Sequence, residues 1–305
     1  MPEVLLRAPS AEDRGAVRAL CAVALAGEDD PAGIGDLLVG VGGGGRPRRM
    51  AVGVFVDGLV VGVAAAGGRT RADGVITGHL DLIAVHPTHR RAGVGRALVG
   101  HVEQWAAGIG AAELWWGNDA PTYAWPGVDL RYPSAHGLAV GLGFDPVREA
   151  TNMTVDLAQA DLETAADELR LAGGGVRISR LDRSSVPGVL DWVATFGGTW
   201  AAEVSQAASR EPVGCHVARR GDAWVGFACH GANRREWFGP MGTAPSERGQ
   251  GVGAVLLRRC LADQVAAGLS TAQLAWVGPV SFYERTVGAF VDRRFTLYRK
   301  GIASG

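Results

Sequence analysis

The sequence predicts two tandem α/β (α+β) domains, each a mixed, mostly antiparallel sheet flanked by helices. Three observations carry that reading. The chain has 305 residues, a length at which one hydrophobic core commonly gives way to two. Short stretches of strand-like alternation and longer stretches of helical periodicity follow one another along it. The whole order of elements then restarts, so that Arg90-Arg91-Ala92-Gly93-Val94-Gly95 returns as Arg248-Gly249-Gln250-Gly251-Val252-Gly253 in the same place. A period of roughly 150 residues is far too long for a solenoid and indicates two copies of one domain. The boundaries read from this are 1–157 for the first domain, 158–174 for a helical linker and 175–305 for the second domain.

In the first copy Val4 to Arg7 reads as a short strand, and Ser10 as the N-cap of the helical run AEDRGAVRALCAVALAG. Residues 41–49, VGGGGRPRR, have no strand leading in and no periodic helix leading out, so they read as a flexible loop rather than a phosphate cradle. RMAVGVFVDGLVVGVAAAG gives two strands joined at Asp57-Gly58, a dipeptide that tolerates positive φ in a tight hairpin. GHLDLIAVHP is a third strand, stopped by Pro87. After the glycine motif come a helix to about Ala107, a turn at Gly108 to Gly110 and the strand AELWWG. A polar and aromatic insertion, NDAPTYAWPGVDLRYP, leads to a short helix, SAHGLAVGLG, and FDPVREATNMTVDL reads as a closing pair of strands.

An Ala-rich helix from about Gln159 to Leu171 ends at Gly173-Gly174-Gly175, and the order begins again. VRISRL is a strand, VPGVLDWVATFGG helical, CHVARRGDAWVGFACHG a hairpin turning at Gly221-Asp222, and REWFGPMGTAP the strand before the second motif. GVGAVLLRRCLADQVAAG supplies the helix, TAQLAWV a strand, PVSFYERTVG the short helix and AFVDRRFTLYRK the close.

With 47% hydrophobic residues, 20% charged residues and a net charge of −1, the chain has an ordinary globular composition with no bias toward nucleic acid or a membrane surface. Lys300 is the only lysine, which reflects base composition rather than chemistry. Cys21, Cys215, Cys229 and Cys260 form no C-x-x-C pair and no zinc-ligand spacing, so neither a structural metal nor a disulfide framework is expected. The start of the chain lacks the basic residues and apolar run of a signal peptide, and no long apolar stretch follows; the expected location is the cytoplasm.

A glycine turn between a strand and a helix presents backbone N–H groups at the positive end of the helix dipole, and the missing side chain lets an anion approach. A dinucleotide fingerprint needs a third glycine, where the two copies have Leu98 and Leu256; a nucleotide triphosphatase loop needs a lysine that neither has. What both copies share is Arg-x-x-Gly-x-Gly, with Pro87 and Pro245 three residues before the arginine. In this the chain resembles the GNAT superfamily of acyl-CoA-dependent N-acyltransferases, over about residues 1–157 and 175–301. The resemblance implies acetyl-CoA as cosubstrate, with the CoA pyrophosphate on the amides of Arg91 to Arg96 and Gly249 to Ala254, beside Arg90 and Arg248. It also implies a backbone donor to the oxyanion near Val85 in one copy and Thr243 in the other.

Acetyl transfer to an amine needs a base for the ammonium proton and an acid for the departing thiolate. The family's usual acid is a tyrosine on the helix after the fifth strand; alignment through Phe144 and Phe290 puts Tyr283 there in the second copy and Gly137 in the first. The base reads the other way. On the fourth strand the first copy carries His79 and Asp81, two apart and so on one face, where the second has Trp237 and Gly239, with Glu236 out of phase and His230 a weaker candidate. Two readings stand: a catalytic second domain using Tyr283 and a water-relayed base, which the tyrosine favours, or a catalytic first domain using His79 or Asp81 with Tyr123 or Tyr132 as acid. Tyr123, Trp125, Asp129, Arg131 and Tyr132 in the insertion suit a polar substrate such as a sugar; alternatively, Trp125 and Pro126 plug the interface between the domains.

Tandem proteins of this family include mycothiol synthases and glucosamine/glucosaminide N-acetyltransferases. WVGPVSFYERTVGAF departs from the usual mycothiol-enzyme pattern, so the expected acceptor is the amine of a small molecule, an amino sugar first and a mycothiol-type precursor or an aminoglycoside as alternatives. A non-catalytic acyl-CoA sensor is the reading from another class. No nucleic acid or membrane partner is expected, and the chain is read as a monomer or homodimer.

Overall fold

The computed structural model describes residues 3–40, 48–117 and 122–302; apart from Arg48 and Arg49, the loop read at 41–49 lies outside them. The chain divides into two units, residues 1–150 with 295–305 and residues 151–294. These are not the cuts at 157 and 175 that the repeat suggests. The strand Phe290–Gly301 enters the first unit at Phe295, and the strand that closes the first repeat, Asp145–Asp156, passes into the second unit at Thr151.

In the first unit β1 (Val4–Arg7), β2 (Arg49–Val56), β3 (Leu59–Thr70) and β4 (Ile76–Val85) form an antiparallel run. The β2–β3 turn has Asp57 at φ 49° and Gly58 at φ 79°, the positive pair expected of this dipeptide. The strand β5 (Glu113–Trp116) adds in parallel to β4, from Thr77 opposite Glu113 to Leu80 opposite Trp116. The far edge of β5 is taken by the end of β13 (Phe290–Gly301), with Arg299 opposite Trp115, and β13 also pairs with the two-residue β6 (Val128–Asp129).

Helix α3 (Val94–Gly108) covers one face of this sheet because Leu98, Val99, Val102 and Ala106 recur at helical spacing and are buried. With α4 (Pro133–Gly141) it seals a core that includes Leu80, Leu114, Trp116 and Tyr298. The opposite face is covered by α1 (Arg14–Ala24) and α2 (Pro31–Val39), packed on Val63, Ala65, Leu82 and Ala84. The sequence reading has one helix here. The second follows from Asp30, whose carboxylate accepts from the Gly33 amide while Pro31 opens the first turn.

In the second unit the C-terminal part of β7 (Asp145–Asp156) pairs with β12 (Thr271–Leu274), which lies parallel to β11 (Trp237–Thr243). The antiparallel series β11, β10 (Ala223–His230), β9 (Cys215–Arg220) and β8 (Val176–Arg180) completes the sheet. Helix α8 (Val252–Ala266), α9 (Val280–Val287) and α5 (Ala165–Gly173) lie with one core. The other core belongs to α6 (Val186–Ala194) and α7 (Trp200–Ala208), where the sequence suggests a single helix. Among the described residues no helix is long and apolar enough to cross a membrane, and no group of three or more His, Cys, Asp or Glu could hold a metal ion. The four cysteines are free thiols, all buried.

Candidate active site

Both glycine motifs sit between the end of a central strand and the first turn of a helix. In the first unit Arg90 pins the loop: its Nε donates to the Val85 carbonyl at 3.2 Å and its Nη2 to the Ala24 carbonyl at 3.3 Å. Arg91 follows with φ 65° and Gly93 with φ 85°. A left-handed non-glycine residue costs of order 1 kcal/mol, and the second copy avoids that cost with Gly249 at φ 79°. The strained position therefore carries a guanidinium only in the first unit. A Cβ placed on Gly93 would meet nothing within 4 Å, so the space over the loop is open. The first amides of α3 have no intrahelical partner, and Arg91 and Arg96 flank them, both exposed.

The second loop is covered by the protein itself. Arg170 on α5 donates to the Gln250 carbonyl at 3.0 Å, and its Nη2 lies 2.8 Å from where a Cβ of Gly251 would be. Asp167 holds Arg170 at 2.9 Å and Arg258 at 3.1 Å, while Glu168 grips Arg259, so α5 is fastened to α8 by carboxylates on adjacent residues.

The reason for a cleft in the first unit is the length mismatch between its two parallel strands. β5 stops at Trp116 opposite Leu80, yet β4 runs on to Val85. From Asp81 onward one edge of β4 has no strand beside it among the described residues. A cavity of about 410 Å³ fills that splay. Its lining includes the loop residues Val85, Arg90, Arg91, Gly93, Gly95 and Arg96 and, with them, Asp81, Trp116, Trp125, Asp129 and Tyr132.

Asp81 is the bulge residue of β4, since Leu80 and Leu82 lie opposite the adjacent Ala66 and Ala65. Its side chain is fully buried, 3.1 Å from Arg49. Asp81 lines the cavity and His79 does not. His79 bonds to Thr77 Oγ1 at 2.9 Å and the Gly117 carbonyl at 3.0 Å. The carbonyl can only accept, so Nδ1 carries the proton and Nε2 accepts from the threonine. The second unit has its irregularity at the matching place, Gly239-Pro240, with no carboxylate.

Burial, with the charges of Arg69 and Arg49, pushes His79 down to about 4. The unfolded imidazole titrates near 6.5, so the unfolded chain takes the proton first. Stability from this residue is complete above about pH 6.5 and falls as the pH drops to about 4, by about 3 kcal/mol in all. Urea midpoints measured from pH 7 to pH 4 should fall less for His79→Gln than for the parent; parallel profiles would show that His79 is not the source.

Beside the cavity the insertion is tied to the α1–α2 turn. Tyr132 Oη donates to Glu28 Oε1 at 3.0 Å, and Arg131 reaches Glu28 at 3.0 Å, Asp129 Oδ2 at 3.0 Å and the Gly27 carbonyl at 3.2 Å. Glu28 escapes the sequence reading; an acidic residue next to the end of an amphipathic helix is too common to mark a site. Tyr123 is buried and does not line the cavity.

The second unit's candidates are dispersed. Tyr283 is 9% exposed, its ring against Phe238 and Phe282, and burial pushes its hydroxyl up to about 12. Glu236 pairs with Arg234 at 2.5 Å. His230 and His216 both bond Asp263 Oδ2, at 3.1 and 2.8 Å, and Arg180 takes the other oxygen at 2.6 Å. Thr243 ends β11, ahead of Arg248, Gly249, Gln250, Gly251, Val252, Gly253 and Ala254, as Val85 ends β4 ahead of Arg90, Arg91, Ala92, Gly93, Val94, Gly95 and Arg96.

A family model for the acetyltransferase (GNAT) family matches residues 41–124 and 189–289, one stretch in each repeat. The chain belongs to the GNAT acetyltransferase family. This GNAT chain is 32% identical over 150 residues to the mycothiol acetyltransferase of Clavibacter michiganensis subsp. michiganensis (strain NCPPB 382), a match over 49% of the chain and 41% of that protein. The chain thus spans about two fifths of the curated relative it matches. Among solved structures it resembles the GCN5-related glucosamine N-acetyltransferase region of a fungal multi-domain GH3 β-N-acetylglucosaminidase, with a TM-score of 0.77 and 17% identity over 98% of this chain and 38% of that one. A tandem GNAT protein from the clavulanic acid biosynthesis pathway gives 0.71 and 20% identity, over 99% and 100% of the two chains. At these identities the likeness is one of fold.

Proposed function

We propose that this GNAT chain is an N-acetyltransferase that moves an acetyl group from acetyl-CoA to the primary amine of a small polar acceptor, and that the first unit does the chemistry. The observation that carries this reading is the cavity joining an open anion loop to buried carboxylates and a tyrosine hydroxyl in that unit. The residues fit the cosubstrate: the space over Gly93 is free, helix amides stand ready for a pyrophosphate, and Arg91 and Arg96 supply positive charge. When bound, the cosubstrate supplies an activated thioester. Asp81 accepts the ammonium proton of the acceptor, amides on the free edge of β4 near Val85 stabilise developing negative charge on oxygen, and Tyr132 gives a proton to the departing sulfur.

An amino sugar is the acceptor we favour. Trp125 and Tyr132 offer ring faces, and Asp81 and Asp129 offer acceptors for hydroxyl and ammonium groups. The glucosamine N-acetyltransferase region that the chain resembles in fold is named for an amino sugar as well.

Thiol release from acetyl-CoA across amino sugars, polyamines, amino acids and aminoglycosides tests the activity. Joint Arg91→Ala and Arg96→Ala substitution should raise KM for acetyl-CoA by roughly 10–100-fold, the worth of one or two charge-assisted hydrogen bonds. Arg248→Ala and Tyr283→Phe in the second unit should leave turnover within about twofold. The opposite pattern would move the chemistry to the second unit, and acetyl-CoA binding without acceptor-dependent thiol would make the chain a sensor.

A further inference from the structure

The cavity lining proposed for the acceptor is built partly by the last strand of the chain. Asp129 lies on β6, whose only two residues pair with β13: Asp129 opposite Phe295 and Val128 opposite Thr296. Three residues further along β13, the Tyr298 hydroxyl meets His136 Nδ1 on α4 at 2.9 Å, the two rings in edge contact. The other nitrogen of that ring, Nε2, meets the Asp129 carbonyl at 3.1 Å.

The roles follow from donor chemistry. A carbonyl only accepts, so Nε2 carries the hydrogen; in the neutral ring Nδ1 then accepts, and Tyr298 donates to it. Both partners of His136 are thus satisfied in one tautomer and one ring orientation. Asp129 in turn sets Arg131, whose backbone N–H and Nε both reach its carboxylate, at 2.8 and 3.0 Å. Arg131 and Tyr132 meet at Glu28. The chain of contacts runs from β13 through α4 to the carboxylate and the phenol that line the cavity.

We propose that Tyr298 is a positioning residue for the acceptor, acting through His136 on the backbone of Asp129. This rests on the reading of the first unit as the catalytic one. Tyr298 does not line the cavity and takes no part in proton transfer; it fixes where Asp129 stands when the acceptor arrives. Acyl-CoA binding is read separately, because the loop arginine Arg90 bonds to the Val85 and Ala24 carbonyls and takes no part in these contacts.

Steady-state kinetics on Tyr298→Phe, His136→Ala and the double variant test this, with the best amine from the acceptor panel and acetyl-CoA. Tyr298→Phe should raise KM for the acceptor about fivefold, the effect of one ordinary hydrogen bond, while kcat and KM for acetyl-CoA stay within about twofold. The double variant should be no worse than His136→Ala, since the two residues act in series. An unchanged acceptor KM, or effects that multiply in the double variant, would overturn the proposal. If Tyr298→Phe proves unstable, an unchanged acceptor KM in His136→Ala overturns it equally. Transfer that survives joint loss of Arg91 and Arg96 with an undisturbed acetyl-CoA KM would instead sink the first-unit reading, a result distinct from either of these.

Discussion

Replacing Asp81 by Asn is expected to lower kcat by about 10²–10³-fold, the usual contribution of a positioned base, with KM for acetyl-CoA within about twofold. The substitution keeps the size of the side chain and leaves an oxygen for Arg49, 3.1 Å away. What it removes is the capacity to take a proton at the one carboxylate that a strand bulge presents to the cavity. Weakening a buried ion pair also costs stability, up to about 3 kcal/mol when one partner loses its charge. Thermal melts of the variant therefore accompany the kinetics, with assays well below its transition. Raising the pH should restore part of the rate, because acceptor amine already deprotonated in solution no longer needs the base. A kcat within about threefold of the parent at neutral pH would clear Asp81 and direct attention to Asp129 and Glu28.

A chain ending at Arg294 should lose both acetyl transfer and acetyl-CoA binding, although every loop residue and every proposed proton-transfer residue remains. The missing segment contains Phe295, Leu297 and Tyr298, which are 1%, 0% and 5% exposed. Burial of side chains of this kind contributes about 1.5–3 kcal/mol each, so their loss removes about 5 kcal/mol or more, comparable with the net stability of a domain. Backbone pairing with β5 and β6 goes too, along with the Lys300–Glu103 contact at 2.8 Å. Calorimetry should show a lowered or missing transition, and isothermal titration no acetyl-CoA uptake. Wild-type affinity in the shortened chain would show that the first unit folds without this strand.

The repeat, the hairpin at Asp57-Gly58 and both glycine loops are legible in the sequence because each rests on local chemistry: turn residues, periodicity and spacing. The choice of catalytic unit is less so. Tyr283 stands out as the tyrosine on the right helix, yet its ring packs in a core with Phe238 and Phe282. The alignment that placed it assumes equivalent phenylalanines, whereas Phe144 is 2% and Phe290 53% exposed. Arg170 over Gly251 and Tyr298 beside His136 are contacts between residues 80 or more apart, with no local signal. His79 and Asp81 look like one pair under strict alternation, and of the two only Asp81, at the bulge, lines the cavity. The domain cuts at 157 and 175 follow the repeat of the sequence, whereas burial follows the strands.

Since β13 completes the first unit, the ribosome supplies that unit's closing strand only after the whole of the second unit has been made. Arg299 and Glu113, which meet across β13 and β5, are 186 residues apart in the chain. At ordinary translation rates roughly 10–40 s separate their synthesis. During that interval β5 presents an open strand edge, the kind of surface on which nascent chains associate, and His136 lacks Tyr298. Activity thus reports on translation to the final strand: a chain stalled or clipped in its second half would carry an intact anion loop and still be silent.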